Sequence, residues 1–173
     1  MGERAFSMPL KTIPMSIREM LEADWPSVSR IYQLGMDTNN ATFETVCPAW
    51  EAFNSSHTMD CRFVALRDDA LIAWAALSLV SKRSVYCGVA EVSIYVDDAN
   101  NGKGVGTFLL NYLIEKSEHA GYWTLQSNIM SGNTASIRLH GKCGFREVGY
   151  RERIGKDRFG IWRDTILMER RKR

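Results

Sequence analysis

No apolar run in the chain approaches the ~20 residues that a membrane-spanning helix needs. The longest, 71–80, is interrupted by Ser78, so no spanning helix and no membrane partner are expected. Charge of one sign is not in surplus either: 22 Lys plus Arg against 20 Asp plus Glu leave +2. Nucleic-acid binding draws on a concentrated basic face. The one basic cluster is the tail Arg170-Arg171-Lys172-Arg173, which reads as a solvated end, so nucleic acid is not an expected partner. The four cysteines, Cys47, Cys61, Cys87 and Cys143, lie 14, 26 and 56 residues apart. They form no CxxC pair of the kind that holds zinc or runs redox chemistry, and read as buried thiols in a reducing compartment. None of the three histidines pairs with another, or with Asp and Ser, at the spacing of a metal site or a triad. Residues 1–14 have no secretory apolar core and carry Pro9 and Pro14. They are expected to be an N-terminal extension of a single cytoplasmic domain spanning 15–173.

What is present fits one α/β domain: 173 residues, 45% hydrophobic and 24% charged. Such a chain buries roughly 70% of its unfolded surface, enough to hold a core without metal or disulfide. A short strand over 16–20 precedes Asp24-Trp25-Pro26, whose early proline opens a helix to about Gly35. Residues 36–48 are polar and turn-rich, and a loop of that length in a compact domain tends to be functional. A short helix is expected at 50–57 and a hairpin across 62–66 and 71–80, turning at Arg67-Asp68-Asp69-Ala70. In 90–96, Val92, Ile94 and Val96 alternate with Glu91, Ser93 and Tyr95, the period of a strand. From Gly104 the apolar residues Val105, Phe108, Leu109, Tyr112 and Leu113 take helical spacing up to Gly121. Strand alternation returns at Trp123, Leu125, Ser127 and Ile129. Asn133 reads as the cap of a helix over 135–143, closed by Gly144. Two last strands, 145–154 and 162–169, complete an α/β layer with a mixed sheet.

The most informative segment is Asn101-Gly102-Lys103-Gly104-Val105-Gly106-Thr107, between a strand end and a helix start. Glycines let successive N–H groups converge, and the helix N-terminus adds about half a positive charge, so the loop suits a phosphate. A Walker loop is ruled out because Lys103 precedes Gly104 rather than Ser or Thr. A dinucleotide fingerprint is ruled out because, counted from Gly104, the third glycine position holds Leu109. Coenzyme A remains, beside the plainer reading of a glycine-rich turn. Glu91, a carboxyl in apolar company on a strand, is a candidate general base, with a water-facing edge residue as the alternative. His57 and His119 read as solvent-side, and His140 taken alone reads as a packing or capping residue.

The ordered segments Ala90-Glu91-Val92-Ser93-Ile94-Tyr95-Val96, Gly102-Lys103-Gly104-Val105-Gly106, Asn133-Thr134-Ala135-Ser136 with His140, and Gly144-Phe145 resemble the GNAT N-acetyltransferase superfamily. Asn40-Ala41-Thr42-Phe43-Glu44-Thr45 and Phe159-Gly160-Ile161-Trp162-Arg163-Asp164 are similar to its phosphinothricin N-acetyltransferase branch. The resemblance covers about 15–169 and implies a mixed, mostly antiparallel central sheet flanked by helices on both faces. It implies acetyl-CoA as cosubstrate and no metal. The backbone of Ile94, Tyr95 and Val96 would pair with the pantetheine arm. The N–H groups of Gly102, Lys103, Gly104, Val105, Gly106 and Thr107 would hold the pyrophosphate, and Asn133 would contact the thioester end. Glu91 matches the base of the family, a backbone N–H at Val96 would serve the thioester oxygen, and His140 is a candidate general acid. Asn101 departs from the Arg or Gln with which the family's loop begins, and Lys103 is expected to compensate in part.

The implied acceptor is the α-amine of a small amino-acid analogue such as phosphinothricin, methionine sulfoximine or arsinothricin, in a detoxifying role. Arg83 is the candidate cation for its carboxylate or side-chain oxyanion, with Phe43 and Glu44 as pocket wall, and the branch implies a homodimer. The alternatives are another amine, on a protein or an aminoglycoside, and a non-catalytic acyl-CoA-binding module. The retained carboxylate at Glu91 argues against the last.

Overall fold

The computed structural model describes residues 15–172, so the expected extension 1–14 lies outside the described residues. In chain order the elements are β1 (Met15–Glu19), α1 (Trp25–Asp37), α2 (Trp50–Ser56), β2 (Arg62–Arg67), β3 (Ala70–Leu79), β4 (Val89–Val96), α3 (Val105–His119), β5 (Thr124–Met130), α4 (Thr134–Lys142), β6 (Arg146–Lys156) and β7 (Trp162–Arg171). The strands form one sheet in the order β1-β2-β3-β4-β5-β7-β6. Every neighbouring pair is antiparallel except β4 with β5. This is the mixed, mostly antiparallel sheet that the sequence resemblance implies.

Local chemistry accounts for the elements. The β2–β3 hairpin turns at Asp68 and Asp69, whose φ of 50° and 62° give the left-handed turn that matches strand twist. Strand β3 is buried on both faces, which explains why its sequence is a nearly continuous apolar run. On one face Ala73, Ala75 and Leu77 pack with Val105, Leu109, Leu110 and Leu113 of α3. The small alanines let the helix approach the sheet, and each buried leucine contributes about 1.5–3 kcal/mol. On the other face Trp74 and Ala76 meet Val28 and Ile31 of α1 and Phe53 of α2. The Tyr95 ring stacks on Trp74 at 4.8 Å, and a Cβ on Gly35 would come within 2.6 Å of it, so that glycine sets how closely α1 crosses β4.

Helices thus cover both faces. Among the described residues, no helix is long and apolar enough to cross a membrane. One expectation needs correction: Cys61 and Cys143 are buried and Cys47 is half-buried, but Cys87 is exposed, because the connection after β3 runs over the surface. Burial pushes the Cys61 thiol up to about 12.

Candidate active site

Strands β4 and β5 are parallel neighbours through only three residue pairs, ending at Glu91 opposite Gln126. Beyond that point they part, although β4 keeps its register with β3 as far as Val96. Asp97 N–H donates to the Ile72 carbonyl at 2.8 Å, so odd-numbered residues of β4 turn their backbone groups to β3. Strand alternation then aims the polar backbone groups of Ile94 and Val96 into the gap, and those of Tyr95 away from it. The gap opens a cleft of about 930 Å³, lined by residues 91–96 of β4 and 127–130 of β5, with the glycine loop, α4 and residues 40–44 around it. It exposes an unpaired sheet edge to which an extended amide-bearing chain can add as a strand.

At one end lies the glycine loop. Gly102 and Gly104 have φ of 73° and 79°, a region that disfavours side chains, and Gly104 is the N-cap of α3. A Cβ on either would meet nothing within 4 Å, so the space above them is open. The first intrahelical bond runs from Phe108 N–H to the Gly104 carbonyl. The N–H groups of Val105, Gly106 and Thr107 therefore have no partner within the helix and lie at its positive end, where negative charge is favoured. Gly106 has a different constraint, because a Cβ there would lie 3.1 Å from Leu139. Lys103 ties back to the Ala99 carbonyl at 2.7 Å, and Asn101 bonds Asp98. Asn133 caps α4 by accepting from Ser136 N–H at 3.1 Å and also lines the cleft.

At the other end, Glu91 Oε2 accepts from Gln126 Nε2 at 3.0 Å and from Asn128 Nδ2 at 2.9 Å. The expected apolar company is thus a pair of amide donors, because β5 lies beside β4 here and its even-numbered residues share that face of the sheet. Arg151 on β6 donates to Asn128 Oδ1 at 3.2 Å. A guanidinium can only donate, so it fixes the amide with Nδ2 toward Glu91. Both amide donors converge on Oε2, which leaves Oε1 for a ligand.

His140 is buried against Phe145, and burial lowers its pKa. Its Nδ1 lies 2.8 Å from the Ser136 carbonyl and so carries the hydrogen, whereas Nε2 is buried without a partner. It presents an acceptor rather than an acid. His57, expected on the solvent side, instead lines the cleft and stacks on Phe53 at 4.1 Å, because α2 packs inward through that phenylalanine. His119 is exposed, as expected. Phe43 and Glu44 line the cleft; Arg83 is not among its lining residues and sits over the Tyr86 ring at 5.5 Å.

Sequence reasoning missed Gln126, Asn128 and Arg151. The first two had a signal, since polar side chains alternating with Leu125, Ser127 and Ile129 on an interior strand mark a solvated or functional face. Arg151 had none, because only the β6–β7 pairing brings it over β5.

The chain is 35% identical over 161 residues to the phosphinothricin N-acetyltransferase of Alcaligenes faecalis, covering 90% of this chain and 81% of that one. It is 32% identical over 162 residues to the L-methionine sulfoximine/L-methionine sulfone acetyltransferase of Pseudomonas aeruginosa, covering 89% and 92%. A crystal structure of a phosphinothricin acetyltransferase from Sinorhizobium meliloti in complex with acetyl-CoA superposes with a TM-score of 0.83 at 29% identity, covering 91% of this chain and 88% of that one. The sequence model of the acetyltransferase (GNAT) family matches residues 16–145. With the parted strands and the glycine loop in place, the chain belongs to the acetyltransferase (GNAT) family and is an acyltransferase.

Proposed function

We propose that this enzyme moves the acetyl group of acetyl-CoA to the α-amine of a small amino-acid analogue of the phosphinothricin or methionine sulfoximine type, a detoxifying reaction. The observation that carries the reading is the unpaired edge at Ile94 and Val96, with an anion site at one end and a held carboxylate at the other. The fit to acetyl-CoA follows from this chain's groups. The backbone of Ile94 and Val96 suits the pantetheine amides, and the loop N–H groups over Gly102 and Gly104 suit the diphosphate. Asn133 and His140 line the cleft on the α4 side.

Acetyl-CoA would supply an acyl thioester whose carbonyl carbon takes the amine nitrogen as its C–S bond breaks, the leaving thiolate taking up the second proton lost by that nitrogen. Glu91 Oε1 takes a proton from the incoming ammonium, directly or through water, so that the nitrogen lone pair is available. The Val96 N–H is a donor for the thioester oxygen. Residues 40–44 form the acceptor side, with Phe43 and Glu44 as wall. For a substrate carboxylate, Arg151 is linked to Glu91 through Asn128, while Arg83 lies on the connection that enters the Glu91 end of β4. A homodimer and a cytoplasmic location are part of the same reading. Tyr150, Ile154, Phe159, Ile161 and Trp162 are exposed large apolar residues of the edge hairpin, which suits a second copy.

An amine panel assayed by thiol release from acetyl-CoA tests the substrate class. Methionine sulfoximine or phosphinothricin is expected to exceed a peptide N-terminus and an aminoglycoside by about 100-fold in kcat/KM. Peptide or aminoglycoside preference would overturn the reading. Within the site, Asn128→Ala removes one donor to Glu91 together with the link to Arg151. A hydrogen bond to a charged group contributes about 1.5–3 kcal/mol, and in an open cleft the lower end applies, so kcat should fall about tenfold. Steady-state kinetics should show KM for acetyl-CoA unchanged.

A further inference from the structure

We propose that Asp157 is a positioning residue: it clasps the acceptor-side loop, residues 38–44, to the β6–β7 hairpin and thereby sets affinity for the amine substrate but not for acetyl-CoA. This rests on the assignment of residues 40–44 to the amine side of the cleft. Asp157 sits at the tip of the hairpin with its side chain only 1% exposed. Its Oδ1 accepts from Phe159 N–H at 2.9 Å and Ile161 N–H at 3.0 Å, which folds the tip back on itself. Its Oδ2 accepts from Asn39 Nδ2 at 2.9 Å and from Arg163 at 3.2 Å. The same guanidinium donates its other nitrogen to Asn40 Oδ1 at 3.1 Å. The carboxylate therefore ties Asn39 directly, and Asn40 through Arg163, where the loop leaves α1, to a hairpin 118 residues beyond Asn39.

Two more features belong to the clasp. Asn39 has φ of 51°, a left-handed conformation that asparagine tolerates, which turns the chain sharply after α1. Gly155 leaves room for the Phe43 ring, since a Cβ there would lie 3.0 Å from it. The loop is thus held at its start by polar bonds and at Phe43 by packing. Burial alone would push the Asp157 carboxyl up. Asn39, the N–H groups of Ile161 and Phe159, and Arg163 outweigh it and hold the carboxyl below its usual range, so the clasp is charged at neutral pH. The clasp also explains a sequence pattern that the reaction does not use. The segments Asn40-Ala41-Thr42-Phe43 and Phe159-Gly160-Ile161-Trp162-Arg163 are remote in the chain, and here they meet.

Asp157→Ala tests the proposal with whichever amine the panel identifies. Amine KM should rise about tenfold or more, because small displacements of positioning elements are costly. The acetyl-CoA dissociation constant and kcat at saturating amine should stay within about twofold. In the same variant, hydrogen exchange of the amides of 38–44 should accelerate while those of β3 and β4 stay protected, a readout that needs no substrate. Asn39→Ala and Arg163→Gln each remove one of the two links between loop and hairpin but leave the hairpin turn, so they keep the test alive if Asp157→Ala folds poorly. Each should raise amine KM about threefold. The proposal is overturned if amine KM is unchanged, if acetyl-CoA affinity falls in parallel, or if exchange in 38–44 is unaltered. Failure of the wild type to acetylate amino-acid analogues would instead overturn the substrate assignment.

Discussion

Substituting glutamine for Glu91 is expected to lower kcat at pH 7 by about 10²- to 10⁴-fold while acetyl-CoA still binds. Glutamine matches glutamate in shape, and its side-chain oxygen can take the place of Oε2 as acceptor for Gln126 and Asn128. What the substitution removes is the negative charge and the second carboxylate oxygen, Oε1, to which neither amide donates. An amine that arrives as ammonium then has no base to take its proton. The deficit should shrink as pH rises toward the substrate's own amine pKa, because a growing fraction then enters neutral. Thiol release measured across the pH range, with calorimetric titration of acetyl-CoA as control, checks this. Full turnover of Glu91→Gln at every pH would remove Glu91 from the role of base.

The second large effect lies at the opposite end of the cleft. In Gly104→Val, a β-branched residue must adopt φ near 79° at the N-cap of α3. A left-handed residue costs about 1–2 kcal/mol, and a β-branched one no less, so Tm should fall by about 2–8 °C for a chain of this size. The new side chain meets no protein atom within 4 Å of its Cβ. Its bulk therefore fills the space above the α3 N-terminus, where the diphosphate is proposed to lie. Acetyl-CoA affinity should drop about 10- to 100-fold, out of proportion to the loss in stability. Titration calorimetry beside thermal unfolding separates the two effects. A dissociation constant within about threefold of wild type would place the diphosphate elsewhere.

The order of elements was legible in the sequence because each left a short-range signature. The alternation at Val92, Ile94 and Val96, the helical stripe of Val105, Leu109 and Leu113, and the cap at Asn133 are all found where the residues indicate. The glycine loop was legible for the same reason, since the need for positive φ is a property of single residues. Glu91 could be singled out, but its surroundings could not. The amides that hold it lie 35 and 37 residues away, and they reach it only because β5 runs parallel to β4. Arg83 and Arg151 carry the same charge in the sequence, and only Arg151 joins the hydrogen-bond chain that ends at Glu91. The tautomer of His140 likewise depends on a carbonyl one helical turn away and on burial, neither of which residue type reveals.

Periodicity and glycine placement, expressed over a few residues by backbone geometry alone, thus sufficed for an α/β sheet, a glycine-rich helix start suited to an anion and an acid on the neighbouring strand; the acyltransferase reading came from the family resemblance. The parting of β4 from β5, the amide pair on Glu91 and the Asp157 clasp arise from register between distant strands and a hairpin. Register is fixed by burial of whole faces across the sheet, so no local stretch of sequence encodes which side chains it brings together.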